Sequence, residues 1–248
     1  VVFLDDDVIA TPELLDRHQA TQFQYDKALV VGRLVTRLPA QSDLFARVYL
    51  SSESGDLAQY IDDQGRLPGT FCLTGNLSAR KTTLELLGLF TEDLLGFGSG
   101  WSRWEDVELG WRADKAGIPI IYDSKAVGYH LDCAIVSLDA WCRRMVAISL
   151  TAPWLFARHP DLQPHLPMFR DKTPIDLAAD PPALVVRKLL RMVASSRPAV
   201  WGMEQLVHQF ERHFPQPWLL RPLYRWIIGA YIFRGYREGL RRLRKSQQ

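Results

Sequence analysis

The chain has 248 residues, 47% of them hydrophobic and 23% charged, with a net charge of +2. That is enough chain to bury a full core in one large domain or two small ones, and no repeat or low-complexity tract competes with that reading. Three cysteines without metal-like spacing argue against a disulfide framework and for a reducing compartment. No uncharged apolar run of about 18 residues marks a membrane span, and no secretory signal is visible.

In chain order, Val1-Val2-Phe3-Leu4 reads as a buried strand, and in a parallel sheet it would need neighbours on both sides. The chain opens on it without a Met, so a fragment lacking an N-terminal part is expected. Thr11-Pro12-Glu13 carries the signals of a helix start, with Thr at the N-cap, Pro in the first turn and an acid beside it. Residues 28–34 predict a second strand, residues 39–68 loop and short helix, and Phe71-Cys72-Leu73 a short strand. Residues 82–87 predict a helix with Thr82 and Glu85 at capping-box spacing and Gly88 as its stop. A glycine-rich loop, Gly96 to Trp101, leads to a helix over 104–116 ending at Gly117. Strand segments follow at 119–122 and 126–130. The alternation argues for an α/β domain over residues 1–150. Seven of the 15 prolines fall between Pro153 and Pro182 and predict an irregular connector, with helices over 183–213 and 218–244 completing a second region, residues 151–248.

Two acidic clusters carry candidate chemistry. Asp5-Asp6-Asp7 follows a strand, and strand C-terminal ends are where open α/β sheets place ligands. Two carboxylates one residue apart can hold a hard divalent cation that neutralises a diphosphate. A solvated acidic turn is the other reading, although crowded like charges favour a cation. Trp104-Glu105-Asp106-Val107-Glu108 opens a helix after the glycine-rich loop. The helix dipole favours an ionised Asp106, which beside a hydroxyl can act as a general base. Simple capping through Ser102 and Glu105, with a Glu108–Arg112 pair, accounts for the same acids. His130 ends an apolar strand with Asp132 close by, and either completes a metal site or is structural. Trp101 and Trp104 offer faces for sugar rings or anchors for a core.

Taken in order, these segments resemble the family 2 glycosyltransferases of the GT-A fold. The matching residues are Phe3-Leu4-Asp5-Asp6-Asp7, Thr74-Gly75-Asn76-Leu77-Ser78-Ala79-Arg80, Gly88-Leu89-Phe90 with Glu92-Asp93, Gly96 to Gly100, Trp104 to Gly110, and Tyr129-His130. They cover roughly residues 1–145. The resemblance implies a Rossmann-like mixed-sheet domain, here the C-terminal part of it, with a mainly helical extension. It implies an inverting transfer of sugar from a nucleoside diphosphate to an acceptor hydroxyl, in polysaccharide or glycolipid synthesis. Asp7, Asp5 and His130 would hold Mn²⁺ or Mg²⁺. Asp5, Asp6, Gly75 and Asn76 would face the donor. Asp106 would be the base, Glu105 would help position substrate, and Trp101 and Trp104 would face a carbohydrate or lipid-linked acceptor. In this family the nucleotide base is held by βα units before the Asp-x-Asp strand, and the chain shows none. A non-catalytic carbohydrate-binding protein on the same fold and a metal-dependent nucleotidyltransferase are the rival readings.

The charge is uneven. Arg221 to Lys245 carries eight cations and one acid, which leaves −5 for the rest. Leu220, Leu223, Tyr224, Ile227, Ile228 and Tyr231 share one helix face, and Arg234, Arg237, Arg241 and Arg244 form a basic stripe. Residues 218–245 therefore suit either an anionic membrane surface or a helix packed on the rest of the protein with a solvated basic face. The expected location is cytoplasmic, peripheral to the cytoplasmic face of a membrane. No nucleic-acid module accompanies the charge, so no nucleic-acid partner is expected.

Overall fold

The computed structural model describes residues 1–50, 56–92, 104–131 and 137–246. They form an α/β arrangement with a mixed sheet, followed by a helical region. Contacts group them into two units. Val1–Ala40 joins 50, 56–92 and 104–131 in the first, and Gln41–Tyr49 joins 137–246 in the second.

The first unit is organised around two apolar strands that pair in parallel, β3 (Leu29–Thr36) and β6 (Ile120–His130). Leu29, Val30, Val31, Ile120 and Ile121 are all buried, as strands covered on both faces must be. The other pairings are antiparallel. The order is β1 (Val2–Leu4), β5 (Asn76–Ala79), β3, β6, β2 (Val8–Ala10), with β4 (Arg66–Leu67) also on β6. Only three residues separate β1 from β2, so the turn between them joins the two ends of that order. α1 (Leu14–Gln24) buries Leu14, His18 and Thr21, and α4 (Glu105–Lys115) buries Val107, Leu109, Trp111 and Ala113.

Several local expectations are corrected. Val1–Leu4 is not a buried parallel strand: β1 runs antiparallel to β5, and Val2 and Leu4 are each 37% exposed. Among the described residues it pairs with β5 alone, and β3 takes the other side of β5. Phe71–Leu73 is not a strand either. Gly69–Phe71 makes a 3-10 turn, and the ladder begins at Asn76. Thr11 does not cap α1; Glu13 holds the N-cap position, while Thr11 ties the turn to β6 by donating its N–H to Val127 O at 3.1 Å. Thr82 and Glu85 lie within α3 (Lys81–Leu86) and form no cap. Gly88 does end that helix, with a φ of 82° that disfavours a side chain.

The second unit is helical: α2 (Leu44–Tyr49), α5 (Leu138–Arg158), α6 (Pro182–Ala194), α7 (Arg197–His213) and α8 (Pro217–Ser246). α5 runs through residue 150 unbroken and contains Pro153. The stretch read as one helix over 183–213 is two, because the Ser195 hydroxyl closes α6 onto Arg191 O at 2.7 Å. Pro198 then starts α7, at a position where its missing N–H costs nothing. α8 turns its apolar face inward: Leu220, Tyr224, Ile227 and Ile228 are at most 5% exposed. Tyr224 packs edge-on against Phe45 of α2, with ring centroids 5.0 Å apart. Of the two readings of residues 218–245, the packed helix is the one observed for the apolar face, while Arg237, Arg241 and Arg244 stay exposed.

Glycine makes the α5–α8 seam. A Cβ at Gly235 would lie 2.6 Å from Val146 O, and one at Gly239 would lie 2.1 Å from Leu150 O. The two glycines and their two partners are each four residues apart, so one ridge of backbone meets another. Gly239→Ala should lower stability by roughly 1–3 kcal/mol through overpacking. Gly202→Ala on α7, with nothing within 4 Å of the new methyl, should raise it by about 0.5–1 kcal/mol. Chemical denaturation of the two variants beside the parent measures both signs.

Candidate functional site

The acidic turn is shaped by its neighbours. Val8 donates its N–H to Asp5 O at 3.1 Å and closes a four-residue turn. β2 pairs with β6 so that Val8 faces His130, and the Leu131 N–H reaches Asp7 O at 2.9 Å. This register places His130 Nε2 at 3.1 Å from Asp7 Oδ1. One ligand atom each from Asp5, Asp7 and His130 falls within 4.8 Å of the others. Asp6, between them, is exposed and is not one of the three. Two carboxylate oxygens and an imidazole nitrogen are groups that could hold a divalent cation.

The second cluster is seated on the same segment of chain. Asp5 donates its N–H to Gly75 O at 3.4 Å, and a Cβ on Gly75 would lie 2.8 Å from Asp5 Oδ2. Glycine is needed there because the carboxylate lies against the backbone. One residue earlier, the Thr74 N–H supports the carboxylate of Asp106. Thr74-Gly75 therefore touches both acidic clusters. Asp106 also accepts the Val107 N–H at 2.7 Å. Burial, reinforced by the neighbouring charge of Glu105, pushes its carboxyl up to about 7 despite these two donors.

α4 is held against the turn before Thr74 by a second close approach. A Cβ on Gly110 would lie 2.2 Å from Gly69 O, so the helix lies almost on the backbone of the 3-10 turn. Asp106, Gly110 and Asp114 share that face at four-residue spacing, and Asp114 accepts the Gly69 N–H at 3.3 Å. The expected Glu108–Arg112 pair is present. Arg112 Nε lies 2.9 Å from both carboxylate oxygens of Glu108, which is 1% exposed. Arg112 also donates to the carbonyls of Leu87 and Leu89, so the pair clamps the turn after α3 to α4. Trp104 is 4% exposed at the N-cap of α4, a buried anchor and not an open stacking face. Trp101, Gly96 to Gly100 and Asp132 lie outside the described residues.

The Asn76 side chain is engaged inside the sheet. It is 1% exposed, and its side-chain amide donates to Ala126 O at 2.8 Å and Arg33 O at 3.2 Å. The β3–β6 register breaks between Gly32 and Arg33, and the amide serves carbonyls beside that break. Its Oδ1 lies 2.8 Å from His18 Nε2, and His18 Nδ1 lies 2.9 Å from Ser78 Oγ. Since Oδ1 can only accept, Nε2 carries the proton and Nδ1 takes the serine hydroxyl. His18 is 1% exposed and was not singled out from the sequence. Its one signal was position, since Leu14, His18 and Thr21 share a helix face.

The chain matches no protein-family model and no curated protein sequence.

Burial lowers the His18 pKa from its ordinary 6.5. Below pH 6.5 the unfolded chain binds a proton that the folded chain refuses, so this residue's contribution is full above pH 6.5 and fades as pH falls. Asp106 has the opposite sign, because its raised pKa costs stability as pH climbs from 3.8 to about 7. His18→Gln, which keeps a donor for Asn76, isolates the first effect. It should be less stable than the parent at pH 7.5 by roughly 1–3 kcal/mol, and the gap should narrow by pH 5. Urea denaturation at both pH values checks this.

Proposed function

We propose that the protein is an inverting, metal-assisted glycosyltransferase of the GT-A kind, moving a sugar from a nucleoside-diphosphate sugar to an acceptor hydroxyl. One observation carries the reading: Thr74-Gly75 lies against Asp5 on one side and Asp106 on the other. A cation-binding set and a carboxyl tuned near neutrality thus share one short backbone segment, as a transfer between a diphosphate and a hydroxyl requires. The mixed sheet and the order of the motifs along the chain are in keeping with it.

On this reading Asp5, Asp7 and His130 would hold a divalent cation, Mn²⁺ or Mg²⁺, which would supply positive charge to offset that on a departing diphosphate. Gly75 leaves room for the Asp5 carboxylate, and Asp6 stays on the solvent side of the turn. Asp106 takes the acceptor's hydroxyl proton on a carboxylate oxygen while that hydroxyl oxygen bonds to the anomeric carbon. The bond from that carbon to the diphosphate breaks with its electron pair leaving on oxygen, and displacement from the opposite face inverts the centre. A carboxyl with a pKa of about 7 is matched to this work, since it is part-ionised at neutral pH and basic enough to accept the proton. Glu105 contributes by raising that basicity. The acceptor class that fits is a carbohydrate or a lipid-linked sugar.

Nucleotide sugars supplied with Mn²⁺ test the reading. The expected products are a glycosylated acceptor of inverted anomeric configuration and a free nucleoside diphosphate. Release of pyrophosphate would mark a nucleotidyltransferase, and donor binding without turnover a carbohydrate-binding protein. Asp106→Asn should lower turnover about 10³-fold while raising stability at pH 8, where the parent buries a charge. Parent turnover should rise with pH through about 7, since only the ionised carboxylate accepts a proton. Asp7→Asn and His130→Ala should each lose the thermal stabilisation that Mn²⁺ confers on the parent, and Asp106→Asn should keep it.

A further inference from the structure

α6 is turned inside out. Its inward face carries Lys188 and Arg191, 5% and 9% exposed. Its outward face carries Val186, Leu189, Leu190 and Val193, 56%, 43%, 57% and 66% exposed. The outward four are spaced i, i+3, i+4, i+7, a continuous apolar stripe of the kind a helix normally buries. The rotation of the helix is locked by its buried cations. Lys188 Nζ donates to Asp180 Oδ2 at 2.5 Å and to Pro174 O at 2.9 Å. Arg191 Nε donates to Asp171 Oδ2 at 3.2 Å, and its Nη1 donates to Trp226 O at 3.2 Å. Turning the leucines inward would strip these partners from buried charges, at a cost larger than the apolar surface would return. The stripe is therefore held outward by ion pairs beneath it. Further apolar surface adjoins the helix. Leu177, 82% exposed, sits in the turn that Lys188 ties down, and Trp226, 42% exposed, lies under Arg191 with its ring 5.0 Å from the guanidinium carbon.

Charge selects the occupant. Residues 181–203 contain four cations and no Asp or Glu. Lys188 and Arg191 are spent on the inward face, which leaves Arg187 and Arg197 exposed, Arg187 also reaching Asp171 Oδ2 at 3.3 Å. The acids of the adjoining turn are engaged: Asp180 with Lys188, and Asp176 with the N–H groups of Ala178 and Ala179. A second copy of this face would bring Arg187 and Arg197 again and no acid from the helix to meet them. A lipid surface with anionic headgroups supplies both an apolar layer and the opposite charge. Among the described residues no helix is long and apolar enough to cross a membrane, so the contact is with the surface. We infer that the outward face of α6 lies on an anionic lipid surface, with Val186, Leu189, Leu190 and Val193 at the headgroup–acyl boundary and Arg187 and Arg197 at headgroup level. This goes beyond the transferase reading and uses none of its residues.

Flotation of the full chain with vesicles is the test, using phosphatidylcholine alone and phosphatidylcholine mixed with phosphatidylglycerol. The parent should float with the mixed vesicles and much less with the neutral ones. Leu189→Glu with Val193→Glu should cut flotation at least about tenfold, and Arg197→Glu should weaken binding to the mixed vesicles alone. All three sites are exposed, so melting temperatures should match the parent. A parent that fails to float, or a double variant that floats as well as the parent, overturns the inference. A parent dimer that the double variant dissolves, with no flotation of either, overturns it in favour of a second copy.

Discussion

The carbonyls of Arg33 and Ala126 sit where the β3–β6 ladder loses register, and the Asn76 side chain answers both. Everything at the acidic end of the sheet depends on that repair. A buried carbonyl without a donor costs on the order of 1–3 kcal/mol, so the amide must stay in place. To reach, it needs Gly32, where an added Cβ would lie 2.3 Å from its nitrogen. To stay oriented, it needs His18 on its oxygen. With Asn76 immobile, Gly75 before it is immobile too, and Gly75 is the surface on which Asp5 rests.

The second acid reaches the same segment by a different route. α4 has no side-chain cap, and its N-terminal turn is placed from further along the helix. Gly110 seats it on Gly69, and Arg112 ties it to the turn after α3 through Glu108 and two carbonyls. Asp106 therefore occupies its position because residues four and six places later are fixed. Its raised pKa follows from burial, then from the charge of Glu105, which the backbone N–H groups that answer it only partly offset. One helix thus carries two acids in different states, with Glu108 paired to Arg112 and Asp106 left titratable near neutrality.

What could be read from the sequence was what depends on near neighbours. The Glu108–Arg112 pair, the stops at Gly88 and Gly117 and the acidic turn after β1 are all set within a few residues. The sheet-bracing role of Asn76 was not legible because the carbonyls that claim it are 43 and 50 positions away and are freed by a register break that no local pattern announces. The antiparallel direction of β1 was not legible either, because an apolar run records what a strand touches on its faces and not which way its neighbour runs. α6 shows a related limit. Periodicity revealed a helix with two faces, but only the placement of Asp171 and Asp180 decides that the charged face turns inward.

The pairing of α2 with α8 bears on the order in which the protein folds during synthesis. Arg221 Nε donates to Val48 O across 173 positions, and Tyr224 packs on Phe45. Residues 41–49 leave the ribosome early, yet their apolar side chains have no seat until α8 follows. The first unit has all of its described strands by His130 and can close well before that. For most of translation, then, Phe45 and its neighbours await α8, and the contact closes late and at the entropic cost of a very long loop. A ribosome pause or truncation ahead of α8 would leave that short apolar helix exposed as a target for chaperones.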